Sequence, residues 1–340
     1  MKSARAMKVL IGLTLGVGSI PSLTAAEAAA ADPCRLPGGV LKSGALAARS
    51  AVECGAVGRL VDAGDGVPLP VQPPGSSVTL DVLYPTGART YTLTTDAQGH
   101  VTSGGQAIDS PTMFPDLPGP GACERDSYVV RPYKWYWPWL FRTTKGTALA
   151  TDRQADFDAA ARRATANITQ GRNTCGLRGK TGAAGGFIGH TARQGNFVYA
   201  DGQTTCGAND YQNVIDEGDL PGGFLEATLA WTCTWAETHH GVTMAVSADI
   251  RMNGSDYNWT YHPSEDPACD PAFPPDPQRW RYDVESVLTH EVGHVYGLVN
   301  LSAAEDINQT MFPGIRRCSG HMRSLGRGDV LGMRALYGRR

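Results

Sequence analysis

Past residue 31 the chain has no apolar run long enough to cross a bilayer as a helix. None of its 8 cysteines forms a CxxC pair, which argues against a zinc ribbon or a thioredoxin-type redox site. There is no G-x-S-x-G elbow for a nucleophilic hydrolase, no EF-hand-like spacing for calcium and no internal repeat. An excess of one charge is missing too. The formal charge is −3, and losing the first 31 residues, with three basic groups and Glu27, takes it to −5. A mildly acidic chain has no electrostatic basis for binding nucleic acid or an anionic membrane. The arginines between Arg316 and Arg340 are a local exception and read as a solvated face.

What is present begins with an export signal. Lys2, Arg5 and Lys8 precede the short apolar stretch Val9 to Ile20, and small residues follow, with cleavage expected after Ala28 or Ala31. All eight cysteines lie beyond it, so an exported chain with up to four disulfides is expected, and 105 pairings stay open.

Residues 32–122 read as a small β-rich region ending in a Pro/Gly linker, with a partly ordered pro-segment as the alternative. Val78 to Gly105 alternates apolar and polar residues around "PTG" and "DAQGH" turns. A larger domain, 123–340, follows. Its "YKWYWPWLFRT" (133–143) suggests a strand and a turn at Pro138. A helix is expected over 151–171, with Thr151 or Asp152 as cap, Phe157, Ala160, Ala161 and Ala164 on one face, and Gly171 ending it. "VTMAVSADIRMN" (242–253) reads as a strand.

The chemistry concentrates in "HEVGHVYGLVN", His290 to Asn300. Val284, Val287, Leu288, Val292 and Val295 recur at helical spacing behind Asp283, a suitable N-cap. On such a helix His290 and His294 project from one face, one turn apart, and can grip one Zn²⁺. Glu291 can reach a water beside that metal as general base. Gly297 stands where the helix must turn, a position that suits positive φ. His239, His240, His262 and His321 read as surface groups. His190 could bind an ion but lacks acidic residues clearly spaced around it. Cys54, in "VECGAVG", reads as a disulfide partner.

With "TMFPG" at 310–314, the pattern resembles the metzincin metallopeptidases, HExxHxxGxxH or D followed by a Met-turn, and is most similar to the secreted bacterial matrixins. The resemblance spans roughly Cys123 to Gly338. "RSLGRGDVLGMRALYG" (323–338) is similar to the closing helix of that branch, Tyr133 to Trp135 to its opening strand, Asp152 to Asn167 to its first helix, and "ADIRMN" to its substrate-side strand. It implies an α+β zincin-like fold: a twisted mixed sheet, the active-site helix, the Met-turn and a C-terminal helix, preceded by the small β-rich domain. It also implies a catalytic zinc on His290 and His294, Glu291 as base, and Met311 as the hydrophobic floor. Calcium is compatible with the family but no motif supports it. The expected protein is a secreted monomeric zinc endopeptidase acting on protein or peptide substrates.

One position departs from the pattern. The third ligand maps onto Asn300, whose neutral carboxamide is a poor zinc donor. Three readings stay open. Asn300 binds through its oxygen, or Asp306 or Glu305 replaces it; zinc is held by two histidines and waters; or the chain is a metal-poor pseudo-protease serving as a secreted binding or structural protein.

Overall fold

The computed structural model describes residues 34–109, 121–145, 153–200, 202–220, 228–270 and 281–340. The signal segment, the caps expected at Thr151 and Asp152, and nearly all of the Pro/Gly linker lie outside them. The described strands are β1 (Leu60–Asp62), β2 (Pro68–Pro70), β3 (Ser76–Tyr84), β4 (Gly87–Thr95), β5 (Val101–Asp109), β6 (Trp139–Thr144), β7 (Gly185–Thr191), β8 (Phe197–Ala200), β9 (Gln203–Cys206), β10 (Val214–Gly218), β11 (Ala230–His239), β12 (Val242–Asn253), β13 (Asn258–Thr260) and β14 (Arg281–Asp283). The helices are α1 (Gln154–Thr169), α2 (Val284–Val295) and α3 (Arg327–Tyr337). The fold is therefore α+β, with a mixed sheet.

Eight strands form that sheet in the order β5-β4-β3-β11-β12-β10-β6-β7. Pairing is antiparallel from β5 to β12 and parallel from β12 to β7. The expected hairpin strands of residues 78–105 are present, but they make no sheet of their own. β3 pairs along β11 and extends the sheet built by residues after 121, within one compact unit running from Cys34 to Arg340. Backbone N–H and C=O groups along a strand edge must be satisfied, and each edge here satisfies the other.

Period-two alternation explains both faces. On β11, Trp231, Cys233 and Trp235 join a cluster with Val78, Leu80 and Val82 of β3. The opposite face, with Ala230 and Leu83, joins the core that holds α1, α2 and α3. All twelve residues of α2 are buried, six of them polar: Glu285, Ser286, Thr289, His290, Glu291 and His294.

The opening strand of the larger region is Trp139–Thr144, after Pro138, and Lys134 makes only an isolated bridge to Met244. Tyr133 to Trp135 is thus not that strand. The likeness of "ADIRMN" to a substrate-side strand is corrected as well, since β12 lies inside the sheet between β11 and β10. Gly171 ends α1 with φ +59°. Four disulfides form, Cys34–Cys54, Cys123–Cys175, Cys206–Cys233 and Cys269–Cys318, with no free cysteine among the described residues. Such bonds persist in oxidising compartments. No helix of the described residues is long and apolar enough to cross a membrane.

Candidate metal and catalytic centre

Local chemistry sets both ends of α2. At its start the Asp283 carboxylate accepts from Ser286 N at 2.9 Å and is gripped by Arg323, Nε to Oδ2 at 2.7 Å and Nη2 to Oδ1 at 2.5 Å. Arg323 thus anchors the helix and does not belong to a free basic face. Arg163 and Asn167 of α1 bind Glu285 at 2.6 and 3.1 Å, which fixes the rotation of α2. At its end Leu298 N donates to Gly293 O and Gly297 N to His294 O, both at 2.9 Å, with Gly297 at φ +92°. This is a Schellman closure, with glycine at the left-handed residue.

That closure positions a ligand. His294 Nδ1 lies 3.0 Å from Leu298 O, and His290 Nδ1 lies 2.7 Å from Thr310 O. A carbonyl only accepts, so each neutral ring carries its proton on Nδ1 and leaves Nε2 as a bare lone pair. The two Nε2 atoms stand 3.2 Å apart, fully buried. Burial, followed by the neighbouring ring, pushes His290 down to about 3. Burial also holds His294 below its ordinary value.

More acceptors surround them. Glu291 Oε2 takes the Thr232 hydroxyl at 2.5 Å, while Glu291 Oε1 has no donor. Burial pushes Glu291 up to about 8. Asn300, 3% exposed, acts on both imidazoles, and its Oδ1 has no donor either. A further carboxylate comes from β3. Asp81 Oδ1 is held by Thr90 at 2.6 Å and Arg131 at 2.5 Å, and its Oδ2, without a partner, lies 3.9 Å from His294 Nδ1. Burial favours the neutral Asp81 carboxyl, but Arg131, His294 and Thr90 together outweigh it and keep its pKa below the ordinary value.

These atoms suit a cation. Unpartnered buried acceptors are costly, and two lone pairs facing each other repel. Nitrogens bound to one tetrahedral zinc stand about 3.3 Å apart, close to the separation here. The two imidazole nitrogens with the Asn300 carbonyl oxygen are a donor set that zinc accepts. Among the described residues no third His, Cys, Asp or Glu joins them; Asp81 approaches His294 at Nδ1, away from the Nε2 pair.

Met311, 2% exposed, packs its sulfur onto Gly293, where any Cβ would overlap it. Asp329 accepts from Thr310 N at 2.7 Å and Met311 N at 3.2 Å, tying this turn to α3. Asp306 pairs with Arg125 at 3.3 Å, and Glu305 is exposed. Asn300, not the loop carboxylates, is therefore the residue found against the rings.

Elsewhere, His190 has the acidic partner that sequence spacing did not reveal, Asp158 of α1 at 2.7 Å. His321 is half-buried, and burial pushes it down to about 4, so it is not a surface group. Sequence reasoning missed Asp81, Arg131 and Thr232. Asp81 and Arg131 come from segments far from the helix, and Asp81 sits on the polar side of an alternating strand that normally signals solvent. No family model and no curated protein matches this chain.

Proposed function

We propose that the chain is an exported, zinc-dependent endopeptidase of the matrixin-like metzincin type. The observation that carries this reading is the pair of buried Nε2 lone pairs 3.2 Å apart, each set by a carbonyl behind its ring. His290 and His294 would hold the metal, with Asn300 Oδ1 as the neutral third donor. Zinc, when bound, supplies a Lewis acid for the scissile carbonyl and acidifies the attacking water.

The remaining work belongs to the chain. Thr232 occupies one oxygen of Glu291 and leaves Oε1 free to take the proton from that water. Glu291 then returns the proton to the leaving amine. The burial that raises Glu291 is opposed by any cation beside it, which would keep the carboxylate ionised for this task. Met311 and the Asp329-held turn keep Thr310 O behind His290. The four disulfides fit passage through an oxidising compartment.

A second reading is favoured by one residue. Asn300 adds neither charge nor a basic nitrogen, so a metal-poor binding protein on the same framework is the alternative. Zinc stoichiometry separates the two. The proposal expects one zinc per chain, lost on His290→Ala and retained on Glu291→Gln, with chelator-sensitive casein hydrolysis abolished by Glu291→Gln. A purified chain that takes up no zinc would refute it.

A further inference from the structure

We infer that the end of the molecule where the tail of α3 meets residues 178–186 is a docking surface for an anionic phospholipid bilayer. Arg178, Lys180, Arg339 and Arg340 supply its charge, and Tyr136 and Trp137 enter the lipid boundary. Nothing in this inference depends on zinc or on hydrolysis.

The cations come from two segments far apart in the chain, and hydrogen bonds lock them together. Arg334 Nη2 donates to Arg178 O at 2.8 Å, across a separation of 156 positions. Thr181 bridges Arg339 in antiparallel register, while Gly182 N donates to Gly338 O and Arg340 N to Lys180 O, both at 2.9 Å. Gly338, at φ +76°, lets the chain turn out of α3 onto this segment. The loop leading into it is fixed as well. Cys175 is bonded to Cys123, and Asn173 Oδ1 accepts from Cys175 N and Leu177 N.

Arg178, Lys180, Arg339 and Arg340 are all exposed, and among the described residues none of them forms an ion pair. Like charges held together repel, and phosphate headgroups laid against them relieve that repulsion. The negative net charge of the chain does not cancel this cluster. Net charge averages over the whole surface, whereas the field felt by an approaching bilayer decays over about 8 Å at physiological ionic strength.

Apolar groups adjoin the cations. Lys134 Nζ donates to Leu336 O at 3.1 Å, at the same end of α3, and stands 5.2 Å from the centre of the Tyr136 ring. Trp135 N donates to Tyr337 OH at 3.1 Å, and the Trp135 ring meets Trp137 edge to face. Tyr136 and Trp137 are 55% and 45% exposed. Leu140 on β6 pairs with Gly186 of β7, and it and Ile188 are 45% and 46% exposed. Indole and phenol rings beside Lys and Arg match the chemistry of the headgroup region. The aliphatic Leu140 and Ile188 favour a bilayer over a charged glycan, because acyl chains accept them and a hydrated polysaccharide does not.

The test is co-sedimentation of the full chain with vesicles of mixed phosphatidylglycerol and phosphatidylcholine, and with phosphatidylcholine alone. Binding should be at least tenfold tighter to the anionic vesicles. It should fall at least tenfold in 1 M NaCl, where the screening length shrinks to about 3 Å. A chain carrying Lys180→Gln, Arg339→Gln and Arg340→Gln should bind at least twentyfold more weakly, at roughly fivefold per cation, with Tm unchanged. Brominated acyl chains should quench the fluorescence of the wild-type chain and quench Trp137→Phe far less. Equal binding to both vesicle types, or an unchanged affinity in the triple variant, overturns the inference. Capture on heparin that the triple variant loses, without vesicle binding, assigns the cations to a glycan and overturns the bilayer. Equal quenching of the wild-type and Trp137→Phe chains overturns the part given to Trp137.

Discussion

Asn300 and Glu217 are the residues whose chemistry is most exposed to test. Asn300 lies against both imidazoles with an oxygen that no donor reaches. A histidine there exchanges a neutral oxygen for a basic nitrogen, so Asn300→His should tighten zinc at least tenfold, measured by competition with a chromophoric chelator. Glu217 is buried beside Asp216, which is itself paired with Arg251, and its nearest donor is the Tyr261 hydroxyl at 3.5 Å. Burial pushes it up to about 8. A carboxyl raised in the folded state costs nothing below its unfolded value near 4.5. The cost grows as pH rises between 4.5 and about 8 and is complete above that. Glu217→Gln should therefore raise Tm at pH 8, by about 3 °C or more, and leave it unchanged at pH 4.5. Equal shifts at both pH values would remove Glu217 as the cause.

At the scale of elements, the ends of α2 matter more than its middle. Asp283 caps the helix and carries the Arg323 fork, so Asp283→Ala leaves Ser286 N without its partner and leaves Arg323 only Tyr261 O and Glu285. The expected loss is about 2 kcal/mol in urea unfolding, moderated because Arg323 is 29% exposed. Gly297→Ala places a Cβ on a φ of +92° and 3.1 Å from Tyr133 O. A loss of roughly 1–2 kcal/mol is expected, and zinc affinity should fall with it, because the same turn sets Leu298 O behind His294. Unchanged zinc binding in a destabilised Gly297→Ala chain would separate the turn from the site. β3 teaches a different lesson. Its alternation of Val78, Leu80 and Val82 with Thr79 and Asp81 reads as one buried and one wet face, yet both are buried too, Thr79 against Thr92 and Asp81 against Arg131 and His294.

Across the whole molecule, one sheet carries two cores, and the disulfides fall on either side of residues 110–120. Cys123–Cys175 spans 52 residues and joins the start of the larger region to the loop after α1. Loop-closure entropy for that span is about 4 kcal/mol, so replacing both cysteines with serine should lower Tm by on the order of 10 °C. That change should leave β3 on β11, since the pairing strands lie outside the loop, and His290 should stay protected from diethyl pyrocarbonate. Deprotection in this variant would tie the burial of His290 to the loop.

Much was legible from local pattern. Asp283, the Val and Leu spacing, Gly297 and the His290–His294 interval describe a capped helix with two imidazoles on one face, because i, i+4 geometry and left-handed closure are properties of short segments. The hairpin strands at 78–105 and the helix ending at Gly171 followed from the same periodicities. Contacts between distant segments were not legible: the disulfide pairing, Asp158 beside His190, Arg323 on Asp283, and above all Asp81 beside His294, more than 200 positions away. Composition and spacing specify what a segment can become. Only the packed sheet, by setting β3 against β11 in one register, decided which face of the hairpin meets the histidines and that the site is closed.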